Sequence, residues 1–168
     1  PIWEGLFTGK TDPGKVNTKY FHSLLESNEM VIPVIYSICM GPSGEPLNVN
    51  ADVVAYAVAG AIGAERLIYC SDIPGVWDKD KKVIEILYTD QIPGLIKDGI
   101  ARAGMVPKLD SSAEAVEKWN VGGVAIVHPD EIGGELLSHK GSSTGTLIMR
   151  RPPERLVPAS RPARAPSI

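Results

Sequence analysis

Residues that bind metals or cross-link chains are scarce here: the 168-residue chain holds 2 cysteines and 3 histidines. Cys39 and Cys70 sit in separate apolar runs without CxxC spacing, and His22, His128 and His139 stand singly, without the HxH or HxxxH spacing that lets imidazoles share an ion. A zinc site or disulfide framework is therefore disfavoured, and both cysteines read as buried thiols within strands. A basic excess is missing too. With a formal net charge of -3 and a pI near 5.6, the chain offers no polycationic surface, so we expect no nucleic-acid partner. Its longest apolar stretches, residues 31–40 and 53–64, fall short of the roughly 20 residues a bilayer span needs, so no membrane association is expected. There is no initiator methionine and no basic n-region with an apolar h-region, which leads us to expect a cytoplasmic protein with a further segment upstream of Pro1. What is present is 43% hydrophobic and 22% charged sequence, enough for one core and suited to small-molecule chemistry.

The chain divides by composition. Residues 1–15 carry a short apolar run (Ile2, Trp3, Leu6, Phe7) and the turn signal Thr11-Asp12-Pro13-Gly14, and read as a hairpin or linker from a missing N-terminal part. Residues 16–149 alternate helical and strand patterns. Asn17 can cap a helix with Tyr20, Phe21, Leu24 and Leu25 on one face, leading to a strand over residues 31–40. After a polar loop, Asn50 can cap an alanine-rich helix that stops at Gly63, followed by a strand over residues 67–70. Further strands are expected at residues 83–87, 123–127 and 146–149, with helices at 89–97, 105–119 and 131–138. This alternation implies an α/β fold with a largely parallel sheet and helices on both faces. From Arg150 onward, 5 arginines and 5 prolines accompany few large apolar residues, the composition of a disordered tail.

Three constellations could carry chemistry. In Leu47-Asn48-Val49-Asn50-Ala51-Asp52, an extended stretch puts Asn48 and Asn50 on one side and Asp52 in the first turn of the next helix. Helix capping explains the same residues without a ligand. In the stretch from Tyr69 to Asp78, an apolar strand runs into a Pro-Gly turn flanked by Asp72 and Asp78, at the strand end where open α/β sheets bind ligands. Asp72 could meet a ribose hydroxyl or a cation; an Asx turn followed by a solvated hairpin tip at residues 78–82 is the alternative. In Gly104-Met105-Val106-Pro107-Lys108, the lysine lies in the first turn of a helix, where it opposes the dipole by roughly 0.3 to 1 kcal/mol. Something anionic belongs there: a phosphate, unless the side chain turns into solvent. The Gly141-Ser142-Ser143-Thr144-Gly145 run matches G-x-S-x-G but lies between a helix and a strand in the wrong order for a hydrolase nucleophile, with no histidine after it. Neither a Walker A lysine nor a GxGxxG helix opening is present.

Taken in order, Asn48-Val49-Asn50-Ala51-Asp52, Gly63-Ala64-Glu65-Arg66-Leu67, Ser71-Asp72-Ile73-Pro74-Gly75-Val76, Gly104-Met105-Val106-Pro107-Lys108 and Gly145-Thr146-Leu147-Ile148 resemble the amino acid kinase family over residues 16–149. The Asn-x-Asn-Ala-Asp and Gly-Met-x-x-Lys pair favours its acetylglutamate kinase branch over aspartate, carbamate or uridylate kinases. The resemblance implies a three-layer αβα sandwich and ATP-dependent phosphorylation of the side-chain carboxylate of N-acetyl-L-glutamate, in arginine biosynthesis, with Mg²⁺ held mainly by ATP oxygens. By resemblance, Lys108 neutralises the transferring phosphoryl group, Asp52 organises the catalytic lysines and Asn48 holds the acceptor's α-carboxylate. Asp72, Ile73, Pro74, Gly75, Val76 and Trp77, with Ile100, Ala101 and Arg102, would line the ATP site. A homo-oligomer is expected for the complete enzyme. The family's first half, with its own lysine, glycine-rich loops and acceptor-binding arginine, has no counterpart here, so little turnover is expected of this chain alone. A related acid such as carrier-linked aminoadipate is the alternative substrate, and a non-catalytic nucleotide- or effector-binding module the alternative class.

Overall fold

The computed structural model describes residues 13–27, 31–101, 104–137 and 145–153. Most of the 1–15 linker, Arg102, and most of the Gly141 loop and of the Pro/Arg-rich tail lie outside them. The first helix, α1 (Thr18–Leu25), is capped as expected, with the Asn17 side chain accepting from the Tyr20 N–H at 3.3 Å. The strand expected over residues 31–40 forms only at its end. There β1 (Ile38–Met40) pairs antiparallel with β2 (Pro46–Asn48), around a turn in which Gly44 takes φ 83°. Residues 31–36 have no strand beside them among the described residues, and Pro33 lacks an N–H to donate.

The next helix, α2 (Ala51–Ile62), is bounded by local chemistry. Asn50 accepts from the Asp52 N–H at 2.8 Å, and Gly63 ends the helix at φ 65°, its N–H returning to the carbonyls of Ala59 and Gly60. Beyond it run β3 (Leu67–Cys70), β4 (Ile86–Tyr88), α3 (Ile92–Lys97), α4 (Val106–Lys118), β5 (Val124–Val127), α5 (Ile132–Leu137) and β6 (Thr146–Met149). The sheet order is β3-β5-β6-β4, with β3–β5 and β4–β6 parallel and β5–β6 antiparallel. This is the mixed α/β fold with a mainly parallel sheet that the alternation implies. β5 is buried at all four positions, as a strand covered on both faces must be. Leu109, Ala115 and Val116 of α4 pack with Val124, Ile126 and Ile148 in the core.

Three expectations need correction. The strand placed at residues 83–87 starts later, because residues 78–82 form a tight hairpin tip: Asp78 Oδ1 accepts from the N–H groups of Asp80 and Lys82, and Lys81 takes φ 59°. Val83 is left with a single bridge to Trp77. The cysteines are strand residues, as read, but not buried: Cys39 is half-buried and Cys70 exposed, since β3 is an edge strand and β1 lies outside the main sheet. The chain also remains anchored past residue 149. Arg150 contacts the Glu117 carboxylate and the Val116 and Glu117 carbonyls, while Arg151 grips Asp90 at 2.7 and 3.1 Å over the Tyr88 ring.

Close approach rather than turn geometry fixes one glycine. A Cβ on Gly122 would stand 2.5 Å from the Glu65 carbonyl oxygen, on backbone that also accepts the Gly122 N–H through Ala64 at 3.2 Å. Gly122→Ala therefore forces the β5 approach away from the start of β3, and should cost about 1–3 kcal/mol, read from urea unfolding at constant m-value.

Candidate active site

Asp52 and Lys108 stand 56 residues apart in sequence and meet in space. Each lies in the first turn of its helix, Asp52 in α2 and Lys108 in α4. Asp52 is favourably placed against its helix dipole; Lys108 is not. The Lys108 Nζ donates to both Asp52 oxygens, at 2.9 and 2.8 Å, so the anion demanded by a lysine at a helix start is first of all this carboxylate. Both side chains are about four-fifths covered, at 20% and 22% exposure. An ammonium carries three donors, and Lys108 has no other hydrogen-bond acceptor among the described residues, so it retains capacity toward a ligand.

The pair is seated on β3. Tyr69, buried in that strand, places its ring 5.2 Å from the Lys108 Nζ, while its hydroxyl donates to the Asp52 carbonyl at 2.9 Å. Burial first, and then the neighbouring Asp52 carboxylate, hold the Tyr69 phenol well above its ordinary pKa, so it stays neutral. At their other ends α2 and α4 are held by a second approach: a Cβ on Gly60 would fall 2.6 Å from the Trp119 Cβ, just past α4. The two helices thus run side by side in the same sense, and their N-termini converge beside the carboxyl end of β3.

From that strand end the chain enters the Asp72 loop. Ser71 is buried and its hydroxyl donates to Asp72 Oδ1 at 3.3 Å; Asp72 and Pro74 are exposed, Ile73 and Trp77 half-buried, and Gly75 and Val76 buried. The loop is pinned to β6 by Thr146, whose Oγ1 accepts the Val76 N–H at 2.7 Å. No Cβ fits at Gly75, where it would meet that same oxygen at 2.7 Å and the Val83 side chain at 2.8 Å. Asn48 ends β2, exposed, on the short connection that leads to Asp52. Ile100 and Ala101 are half-buried on the approach to α4, their N–H groups both bonded to the Leu95 carbonyl. Arg102 lies outside the described residues.

The geometry brings Asp52 and Lys108 into contact and sets the residue 72–77 loop at the end of the same strand. Sequence reasoning missed Tyr69 and Thr146 as supports. Tyr69 read as one more apolar strand residue, and nothing local reveals that Thr146 reaches a backbone N–H 70 residues away. No group of three or more His, Cys, Asp or Glu able to hold a metal occurs among the described residues. No helix among them is long and apolar enough to cross a membrane.

Residues 5–128 match the model of the amino acid kinase family. The chain belongs to that family. Among its curated relatives are the acetylglutamate kinases of Mesorhizobium japonicum, 43% identical over 129 residues covering 75% of this chain and 42% of the relative, and of Caulobacter vibrioides, 39% identical over 142 residues covering 83% and 46%. The amino acid kinase chain described here thus spans less than half the length of these relatives. Among solved structures, smu.665 from Streptococcus mutans is 31% identical with a TM-score of 0.69, over 86% of this chain and 52% of that one. Carbamate kinase from Giardia lamblia bound to AMP-PNP, 20% identical with a TM-score of 0.52 over 64% of this chain and 34% of that one, shares the fold.

Two outcomes follow from the supports of this amino acid kinase site. Thr146→Val leaves the Val76 N–H without its acceptor and should cost about 1–3 kcal/mol in chemical denaturation, whereas Thr146→Ser should recover most of it. The Tyr69 phenol, whose pKa is raised on folding, contributes stability that is complete below the ordinary phenol range and is lost as pH rises beyond it. The unfolding midpoint should therefore fall more steeply from about pH 9 to 11 in the wild type than in Tyr69→Phe.

Proposed function

We propose that this chain is the nucleotide-handling part of an enzyme that transfers the γ-phosphoryl group of ATP to the side-chain carboxylate of N-acetyl-L-glutamate. Supporting the substrate are relatives named acetylglutamate kinase at 39–43% identity. The observation that carries the chemistry is the Lys108–Asp52 pair at two converging helix starts, with one ammonium donor left over, beside the strand end that opens into the residue 72–77 loop.

The reaction asks little acid–base work of the protein. An acceptor carboxylate with an ordinary pKa of about 4.3 is ionised at neutral pH and needs no general base. Positioning and charge neutralisation are the tasks left. Lys108 would meet the phosphoryl oxygens as negative charge shifts toward the leaving group, held on station by Asp52 and by the Tyr69 ring. Asp52 is occupied by that lysine and is not the attacking group. Asn48 would orient the acceptor through its α-carboxylate. Asp72, Ile73, Pro74, Gly75, Val76 and Trp77, with Ile100, Ala101 and Arg102, would receive the nucleotide on a loop kept rigid by Thr146.

A divalent ion fits as cargo of the nucleotide rather than of a protein cage: Asp52 is committed to Lys108, and Asp72 is the exposed carboxylate nearest the strand end. Mg²⁺ bound to ATP would supply charge neutralisation of the polyphosphate, and Asp72 is the residue placed to accept its water shell. A homo-oligomeric complete enzyme acting in the cytoplasm is part of the same reading.

The test is kinetic, on this chain completed with the part of the Mesorhizobium japonicum relative that it does not match. Lys108→Ala should lower kcat on the order of 10²-fold or more with a smaller change in ATP affinity, and Asn48→Ala should raise the acceptor KM while ATP affinity holds. An unchanged kcat in the first variant removes the assigned role of Lys108. Turnover with aminoadipate-type acids but not with N-acetylglutamate would reassign the substrate.

A further inference from the structure

Four polar side chains other than tyrosine are buried among the described residues: Ser71, Ser111, Ser112 and Thr146. All four attach to the two segments that carry the candidate site. Ser71 donates to Asp72, and Thr146 accepts from the Val76 N–H, both on the residue 72–77 loop. Ser111 donates to the Pro107 carbonyl at 2.7 Å and Ser112 to the Lys108 carbonyl at 2.6 Å, both in the first turn of α4. That turn needs holding more than the start of α2 does. Asn50 caps α2 with its side chain, whereas Met105, at the same position of α4, makes no side-chain cap bond. Lys108, in the first turn, opposes the helix dipole.

A buried helix position favours alanine, which has the best propensity and no hydroxyl to satisfy, and α4 uses it at Ala113 and Ala115. Serine at 111 and 112, 8% and 0% exposed, forgoes that propensity twice in succession. What each hydroxyl adds is a second donor on a carbonyl already bonded in the helix ladder, an arrangement that tilts the carbonyl and bends the turn. The Ser111 hydroxyl also reaches the Tyr69 phenol, which ties the turn to β3. Resting on the phosphoryl-transfer reading, we propose that Ser111 and Ser112 are positioning residues: by bonding the carbonyls of Pro107 and Lys108 they set the direction in which the Lys108 ammonium leaves α4, so that its spare donor meets the transferring group while Asp52 holds the nitrogen in place. Neither serine touches the substrate in this scheme; both act through the lysine.

The test again uses the chain completed with the unmatched part of the Mesorhizobium japonicum relative. Ser112→Ala should lower kcat about tenfold, with the KM values for ATP and N-acetylglutamate within about twofold of wild type. Ser111→Ala should act in the same way, and Ser111→Thr, whose hydroxyl can bond the same carbonyl, should restore turnover. Both alanine variants should unfold in urea close to the wild-type midpoint, because gained helix propensity offsets the lost hydroxyl bond and no buried donor is orphaned. In a Lys108→Ala background, Ser112→Ala should lower kcat no further, since the serine works only through that lysine. The proposal is overturned if the alanine variants keep wild-type kcat while Lys108→Ala loses it, or if they raise KM instead. It is equally overturned if lost activity tracks a lost folded fraction, if Ser111→Thr fails to restore turnover, or if the Lys108→Ala and Ser112→Ala losses multiply when combined. A completed wild type without turnover, or one indifferent to Lys108→Ala, removes the phosphoryl-transfer reading itself and the role of both serines with it.

Discussion

A lysine in the first turn of a helix is held against the helix dipole, and everything at this site depends on what holds it. Asp52 does so through both carboxylate oxygens, from the first turn of a neighbouring helix. Removing either partner would leave a largely covered charge alone, a cost of about 1–3 kcal/mol or more. The pair therefore specifies where two helix starts meet. Because Asp52 takes only part of the ammonium's donor capacity, the same arrangement leaves a donor to spare beside β3, where the Tyr69 ring lies 5.2 Å from the Lys108 nitrogen.

The surrounding packing keeps that meeting point fixed. Small residues allow the close contacts: Gly60 lets α2 lie on Trp119 at the far end of α4, and Gly122 lets the β5 approach cross the Glu65 backbone. Tyr69 works from below, neutral because it is buried and faces a carboxylate, giving one hydrogen bond to the α2 backbone and an aromatic face to the ammonium. Thr146 does for the residue 72–77 loop what Asp52 does for Lys108, supplying from a distant strand the one acceptor a buried N–H needs. A loop so tethered can receive a ligand without first being ordered, which spares part of the entropy of binding.

Local chemistry was readable along the chain. Asn17 and Asn50 cap where their side chains predict, Gly63 ends α2 in the left-handed region, and the Asp78 tip closes on its own carboxylate. What could not be read was anything decided by a partner far along the sequence. The first-turn lysine signalled an anion, but pattern alone suggested phosphate, and the nearer answer came from a residue on another helix. Cys70 looked buried because its run is apolar, and is exposed because β3 is an edge strand. Residues 31–36 carry the pattern of an interior strand but have no strand paired with them among the described residues. Arg150 and Arg151 carry the composition of a tail, yet specific acidic partners on α4 and beside β4 retain them.

Diffraction from this chain crystallised with a non-hydrolysable ATP analogue addresses the central claim most directly. The account predicts β- or γ-phosphate oxygens within hydrogen-bonding range of the Lys108 Nζ, roughly 2.7–3.2 Å, while that nitrogen keeps its contact with Asp52. A triphosphate bound elsewhere, with the Lys108–Asp52 pair undisturbed and remote from it, would contradict it.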